Sequence, residues 1–299
     1  MRIDLSWADS YHSQPFLSEI FALAFVRGVE PLDALRRIGG HPDTLAERTP
    51  DEIGNLHEFE HGYPEIVSAL PLGEWTVLLQ PNSFELVHLV DALSRGTEAL
   101  ALLRHDYASP SFEYAVDGEM ITRFNLNYPD LRGGADRDRL LPLLRKAGFD
   151  PDHDEGDYGP VVGKALRLAF QITGVLPTFE QLTAPLPSMH FDSWFARTRP
   201  SGAGADPLGQ AEALVAELGL GGTPGLADAL AAARRGERVV VAPDSELGRH
   251  VRDWLTLQRR ASWSLNSARS AMTDAERRHG YRFGHLTLAL QDAFRPDLA

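Results

Sequence analysis

The stretch that most limits what this chain can fold into runs from Glu74 to Asn127, where four differently patterned segments follow one another with clear punctuation. Glu74 to Gln80 puts Trp75, Val77 and Leu79 on one face, the period of two expected of a strand. Pro81-Asn82 stops that strand, and Asn82 with Glu85 reads as a capping box at a helix start. Leu86, Leu89, Val90 and Leu93 make one apolar stripe at helical spacing, and Gly96 closes it. Thr97 to Leu103 is apolar on both faces, as a central, doubly covered strand should be. Phe112, Tyr114 and Val116 alternate into Asp117-Gly118, a two-residue hairpin turn, and Met120 to Leu126 returns. The spacing predicts one contiguous sheet over 74–126 with the 82–93 helix packed on it. The fold class expected is α/β (α+β): a small mixed or antiparallel sheet with packed helices, followed by a mainly helical C-terminal unit.

Around this block the chain reads mostly as helix. Residues 1–13 are expected to be a loose lead. Phe16, Ile20, Leu23 and Val26 recur at helical spacing behind Pro15, so a helix is expected up to Gly28. With a second helix from Pro31 to Ile38 it would form an α-hairpin against the sheet. Thr49-Pro-Asp-Glu52 starts another helix, expected to run to about His61. Past Asn127, Arg132-Gly-Gly134 opens a loop, and helices are expected over 136–147, 161–174 and 178–182 before Pro185 and Pro187 break regular structure. The 161–174 helix should bury Val162, Ala165, Leu166, Ala169 and Phe170. Residues 199–207 have linker composition, which divides the chain into a 1–198 α/β domain and a 208–299 helical domain. In the second, Gln210–Leu218 and Leu226–Arg234 are alanine-rich helices, and Arg238–Ala242 is a short apolar strand or extended turn. A helix over 247–257 and a last one capped by Thr273 and Glu276 complete it.

Composition narrows the function classes. The chain has no cysteine, which removes disulfides, thiolate metal sites and cysteine nucleophiles. No apolar run is long enough to span a bilayer, and no basic region precedes the apolar stretch near the N-terminus, so a cytoplasmic, non-membrane protein is expected. A net charge of −13 argues against broad nucleic-acid binding, which needs a basic surface. The charge is uneven: residues 43–65 carry seven acids against one arginine, whereas residues 245–285 carry eight arginines against four acids. Arg249, Arg252, Arg259, Arg260, Arg277, Arg278 and Arg282 are therefore a candidate partner surface, for a protein partner or self-association, set against a solvated helix face as the plain reading.

A combination of short motifs carries a resemblance. Phe25-Val-Arg-Gly28, Leu35-Arg-Arg-Ile-Gly39, Trp75, Gln80-Pro-Asn82, Gly96-Thr97 and Tyr114-Ala-Val-Asp-Gly118 together resemble a set of actinobacterial proteins, domain-of-unknown-function family 6461, over roughly residues 14–185. The resemblance implies an α/β domain of the bacterial cytoplasm. It implies no activity, cofactor or catalytic residue.

Three segments carry patterns of chemical interest. His57-Glu-Phe-Glu-His61 on a helix would place two imidazoles on one face for zinc, with Glu58 as base and Glu85 as a permissible third ligand. The segment is polar all round, unlike the partly buried helix of such hydrolases, so a solvated acidic helix is the competing reading. Asp150, Asp152 and Asp154 resemble the opening of a calcium loop, but the glycine is displaced to Gly156 and position twelve is Val161. Arg104-His105-Asp106 lies at the end of the expected central strand, and with Arg123, Asn125 and Asn127 on the neighbouring strand it forms a candidate polar pocket. Serine-nucleophile, dinucleotide and Walker signatures are absent from the sequence. Two classes follow: a non-enzymatic interaction or regulatory protein, with bacterial conflict or self-protection as a setting and no cofactor, or a zinc hydrolase built on His57, Glu58 and His61.

Overall fold

The computed structural model describes residues 5, 7–10, 17, 19–56, 61–152, 156, 159–196, 206–266 and 270–295. They divide into two units: Met1–Gly40, Thr44–Leu56 and Glu65–Ala196 in the first, and His41–Asp43, His57–Pro64 and Arg197–Ala299 in the second.

The first unit is built on one sheet. Its strands are β1 (Ile20–Arg27), β2 (Ala46–Arg48), β3 (Glu65–Leu72), β4 (Trp75–Pro81), β5 (Glu98–His105), β6 (Ser111–Val116), β7 (Glu119–Asn125), β8 (Tyr128–Gly133) and β9 (Leu186–Phe191). Among the described residues they form a nine-stranded sheet in the order β2-β9-β3-β4-β1-β5-β6-β7-β8. Every neighbouring pair is antiparallel. The hairpin at Asp117-Gly118 forms as expected, with φ of 50° and 81° at the two turn residues.

The middle of this sheet is the segment expected to be a helix. β1 pairs with β4 on one side and β5 on the other, so the first half of the expected α-hairpin is the central strand. Ile20-Phe-Ala-Leu-Ala-Phe-Val26 is apolar without interruption, and such a run satisfies helical spacing by accident. What decides the outcome is a division by size. Phe21, Leu23 and Phe25 face one core, and Ala22, Ala24 and Val26 face the other. β9 likewise runs through Pro187, where regular structure was expected to break, and β8 takes in Arg132 and Gly133 from the expected loop.

Helices cover both faces. α1 (Pro31–Arg37) and α3 (Val90–Leu93), the latter preceded by a 3-10 turn over Glu85–Leu89, pack on the small-residue side. α2 (Pro50–Leu56) begins with the expected capping box, Thr49 and Glu52 bonding each other's amides, and ends before His61. The expected box at Asn82 and Glu85 does not form: Phe84 stands at the cap position without a side-chain bond. Gln80 Oε1 instead accepts the Leu86 amide at 2.7 Å, a cap delivered from β4. On the large-residue side lie α4 (Leu141–Ala147), α5 (Val161–Thr173) and α6 (Phe179–Thr183). In α5 the inward position falls to Leu168, while Phe170, expected inside, is 38% exposed.

The second unit is helical as expected, with α7 (Pro207–Glu217), α8 (Leu226–Arg234), α9 (Glu246–Asn266) and α10 (Asp274–Ala293). Close approach of α9 and α10 depends on Gly280, where an added Cβ would sit 2.5 Å from Ala261 Cβ and 2.7 Å from the Leu257 carbonyl oxygen. Arg238–Ala242 forms neither helix nor strand. The expected linker lies almost wholly outside the described residues.

Candidate functional site at the end of β5

β5 is apolar from Ala99 to Leu103 and then turns polar. Strand alternation sends Leu100 and Leu102 to the α5 side, and Arg104 follows them, 2% exposed. A guanidinium this buried must have its N–H groups met. Nε and Nη2 donate to the two Asp106 carboxylate oxygens at 3.0 and 2.8 Å, a forked pair. Nη1 donates to the backbone carbonyls of Ala8 and Ser10 at 2.9 and 3.1 Å.

Between those two carbonyls stands Asp9, whose carboxylate closes the start of α5. Oδ1 accepts the Val162 amide at 3.0 Å and Oδ2 accepts the Gly163 amide at 2.9 Å. A first-turn amide pair has no partner within its own helix, and a carboxylate there also suits the helix dipole. Gly163 makes room for it, since a Cβ would lie 2.8 Å from Asp9 Oδ2. Burial pushes the Asp9 carboxyl above its ordinary value, against the two amides and the charges of Arg104 and Arg167. Asp9, Arg104, Asp106, Asn127 and the Gly159–Val162 turn line a pocket of about 460 Å³.

His105 projects the opposite way from Arg104 and joins a group of rings. Its centroid is 5.6 Å from Phe84 and 6.5 Å from Tyr107, and Phe84 is 6.5 Å from His88. The Tyr107 amide donates to His105 Nδ1 at 3.3 Å. Tyr107 Oη donates to Glu19 at 2.7 Å, and that bond raises the phenol above its ordinary pKa. Phe84 and Tyr107 are 42% and 72% exposed.

Of the candidate pocket residues, Arg104, Asp106 and Asn127 line one cavity; His105 borders it as well, while its ring packs with Phe84 and Tyr107. Arg123 and Asn125 do not line it: Arg123 lies beside Gly133, and Asn125 accepts the Asn127 amide at 2.8 Å to build the β7–β8 turn. Asp9 escaped sequence reading because nothing local ties residue 9 to residues 162 and 163. The glycine in the first turn of an apolar helix was the available signal. His57 and Glu58 of the zinc pattern lie outside the described residues; His61 packs its ring 6.4 Å from Tyr63, and Glu85 opens a 3-10 turn. Among the described residues no three His, Asp or Glu side chains are grouped to hold a metal. In the second unit, Arg252 bonds Asp43 at 2.9 and 3.1 Å, Arg259 bonds the Gly62 carbonyl, Arg277 bonds the Met272 carbonyl, and Arg282 pairs with Glu217. Arg249, Arg260 and Arg278 are exposed. Burial works against the Asp43 carboxylate, but Arg252 more than offsets it and holds it below its ordinary value.

A family model described as a family of unknown function (DUF6461) matches residues 2–185. The chain belongs to DUF6461. The matched span contains every residue of the DUF6461 pocket and ring group, from Asp9 to Val162, and stops just short of β9. No curated protein and no solved structure matches the chain.

Proposed function

We propose that this DUF6461 protein is a non-enzymatic cytoplasmic interaction or regulatory protein, binding a protein partner through the rings at the end of β5. The observation that carries this reading is the contrast across that strand end. The charged groups on the α5 side are committed to internal bonds, Arg104 to Asp106 and two carbonyls and Asp9 to two amides. The rings on the other side are offered to solvent. Aromatic side chains lose little conformational entropy when covered and are enriched at protein interfaces. Histidines beside them add hydrogen-bonding edges, and Glu19 fixes Tyr107 in place.

Affinity purification from the native host, with the full wild-type chain and a Phe84→Ser/Tyr107→Ser variant side by side, tests this. A defined partner recovered by wild type and lost by the folded variant is the expected result. Equal recovery by both would contradict the assignment of the surface.

A further inference from the structure

A different surface lies at the β2 edge of the sheet. β2 is outermost, and its register sets Glu47 opposite Pro187. Proline has no N–H to give, so this is the non-bonded pair of the ladder, and the Glu47 amide and carbonyl turn toward the open edge. Beside that edge runs a groove of about 720 Å³ walled by Leu32 of α1, Leu45, Pro71 and Pro187. Leu32 and Leu45 are 37% and 44% exposed, more than large aliphatic side chains usually are. The rim is acidic. Glu30, Asp33 and Glu47 stand against one cation, Arg36, which is bonded to Asp33 at 2.8 Å. Such a groove suits a short apolar segment that brings positive charge.

The second unit carries a segment of that kind. Arg234 to Ala242 reads Arg-Arg-Gly-Glu-Arg-Val-Val-Val-Ala; its three arginines outnumber Glu237, to which Arg235 is bonded, and Glu212, which pairs with Arg234, so the segment keeps a net positive charge. Three consecutive valines have strong strand preference, yet they belong to no sheet. Val239 donates its amide to the Phe294 carbonyl at 2.9 Å, and Val240 is 80% exposed. A β-branched run beside basic residues and an apolar groove with acidic walls along a strand edge match in both hydrophobicity and sign. We propose that Arg238–Ala242 of a second copy of this chain seats in the α1–β2 groove and pairs with the open Glu47 edge. The contact is heterologous, and two copies that exchange runs reciprocally close as a dimer. A three-residue edge keeps the added ladder short, so side-chain burial in the groove carries most of the attraction.

Sedimentation velocity of the full chain over a wide concentration range tests this, with Val240→Asp and Leu45→Asp as variants. Wild type is expected to self-associate, less at high salt, and each variant to be monomeric. An equimolar mixture of the two variants is expected to regain one association, because one retains the groove and the other the run. That recovery also shows that both variants are folded. A monomeric wild type, association that survives either substitution, or a mixture that stays monomeric would each overturn the proposal.

Discussion

At the scale of single residues, Arg104 and Asp9 hold the site together from positions far apart in the sequence. Arg104 was legible, because an arginine that continues the inward face of a buried strand must be paired. Asp9 was not, because its partners are fixed by tertiary packing alone. Replacing Arg104 with lysine keeps the charge but cannot span Asp106 and both carbonyls, so Arg104→Lys is expected to cost about 2 kcal/mol in urea unfolding. A cost indistinguishable from zero would mean the fork is not needed. The raised pKa of Asp9 gives a signed pH dependence. Folded Asp9 holds its proton to higher pH than unfolded Asp9. Its contribution is therefore complete below the ordinary carboxylate value and is lost as pH rises through the raised one. Asparagine does not titrate, so the stability of wild type relative to Asp9→Asn is expected to fall as pH climbs from about 4 toward neutrality. A difference that is flat or grows with pH would refute it.

Among the elements, punctuation was a useful guide but not a sufficient one: the capping box expected at Asn82 and Glu85 does not form, and β9 runs through Pro187. The Asp117-Gly118 hairpin, α1, α2, α5 and the box that starts α10 each carry a turn, proline or cap signal, and each is present. β1 lacks internal punctuation, and only its alternation of large and small side chains marks it as a strand. β8 and β9 are short and contain glycine or proline, so their pairing comes from neighbours. The strands are tied across by Tyr114, whose Oη donates to Glu98 at 2.7 Å while Arg27 donates to the same carboxylate at 3.0 Å. Burial, then the Glu98 bond, pushes the Tyr114 phenol up to about 12. The neutral phenol's contribution is thus present below its unfolded pKa of about 10 and is lost as pH rises through the folded value. Ultraviolet titration should show a late-ionising tyrosine that Tyr114→Phe removes; an unchanged profile would contradict the assignment. Between α9 and α10, Gly280→Val is expected to cost about 1–3 kcal/mol, because the valine meets Ala261 and the Leu257 carbonyl. Thermal unfolding at wild-type temperature would show that the helices can separate freely.

For the whole molecule, the fold class was written in the sequence and the function was not. Amphipathic helices and alternating strands announce an α/β chain, whereas the proposed binding surface gathers residues from distant segments, Glu19, Phe84, His88, His105 and Tyr107. None of them is unusual in its own neighbourhood. The negative net charge fits a partner met through rings and local complementarity in place of a nucleic-acid backbone. These rings are proposed as the working surface. A photo-crosslinking amino acid placed at Tyr107, with Leu131 as an equally exposed control at 71%, tests it in the native host. A discrete adduct at position 107, absent at position 131 and lost on Phe84→Ser, is the result expected; no adduct at 107, or the same adduct at both positions, would contradict it.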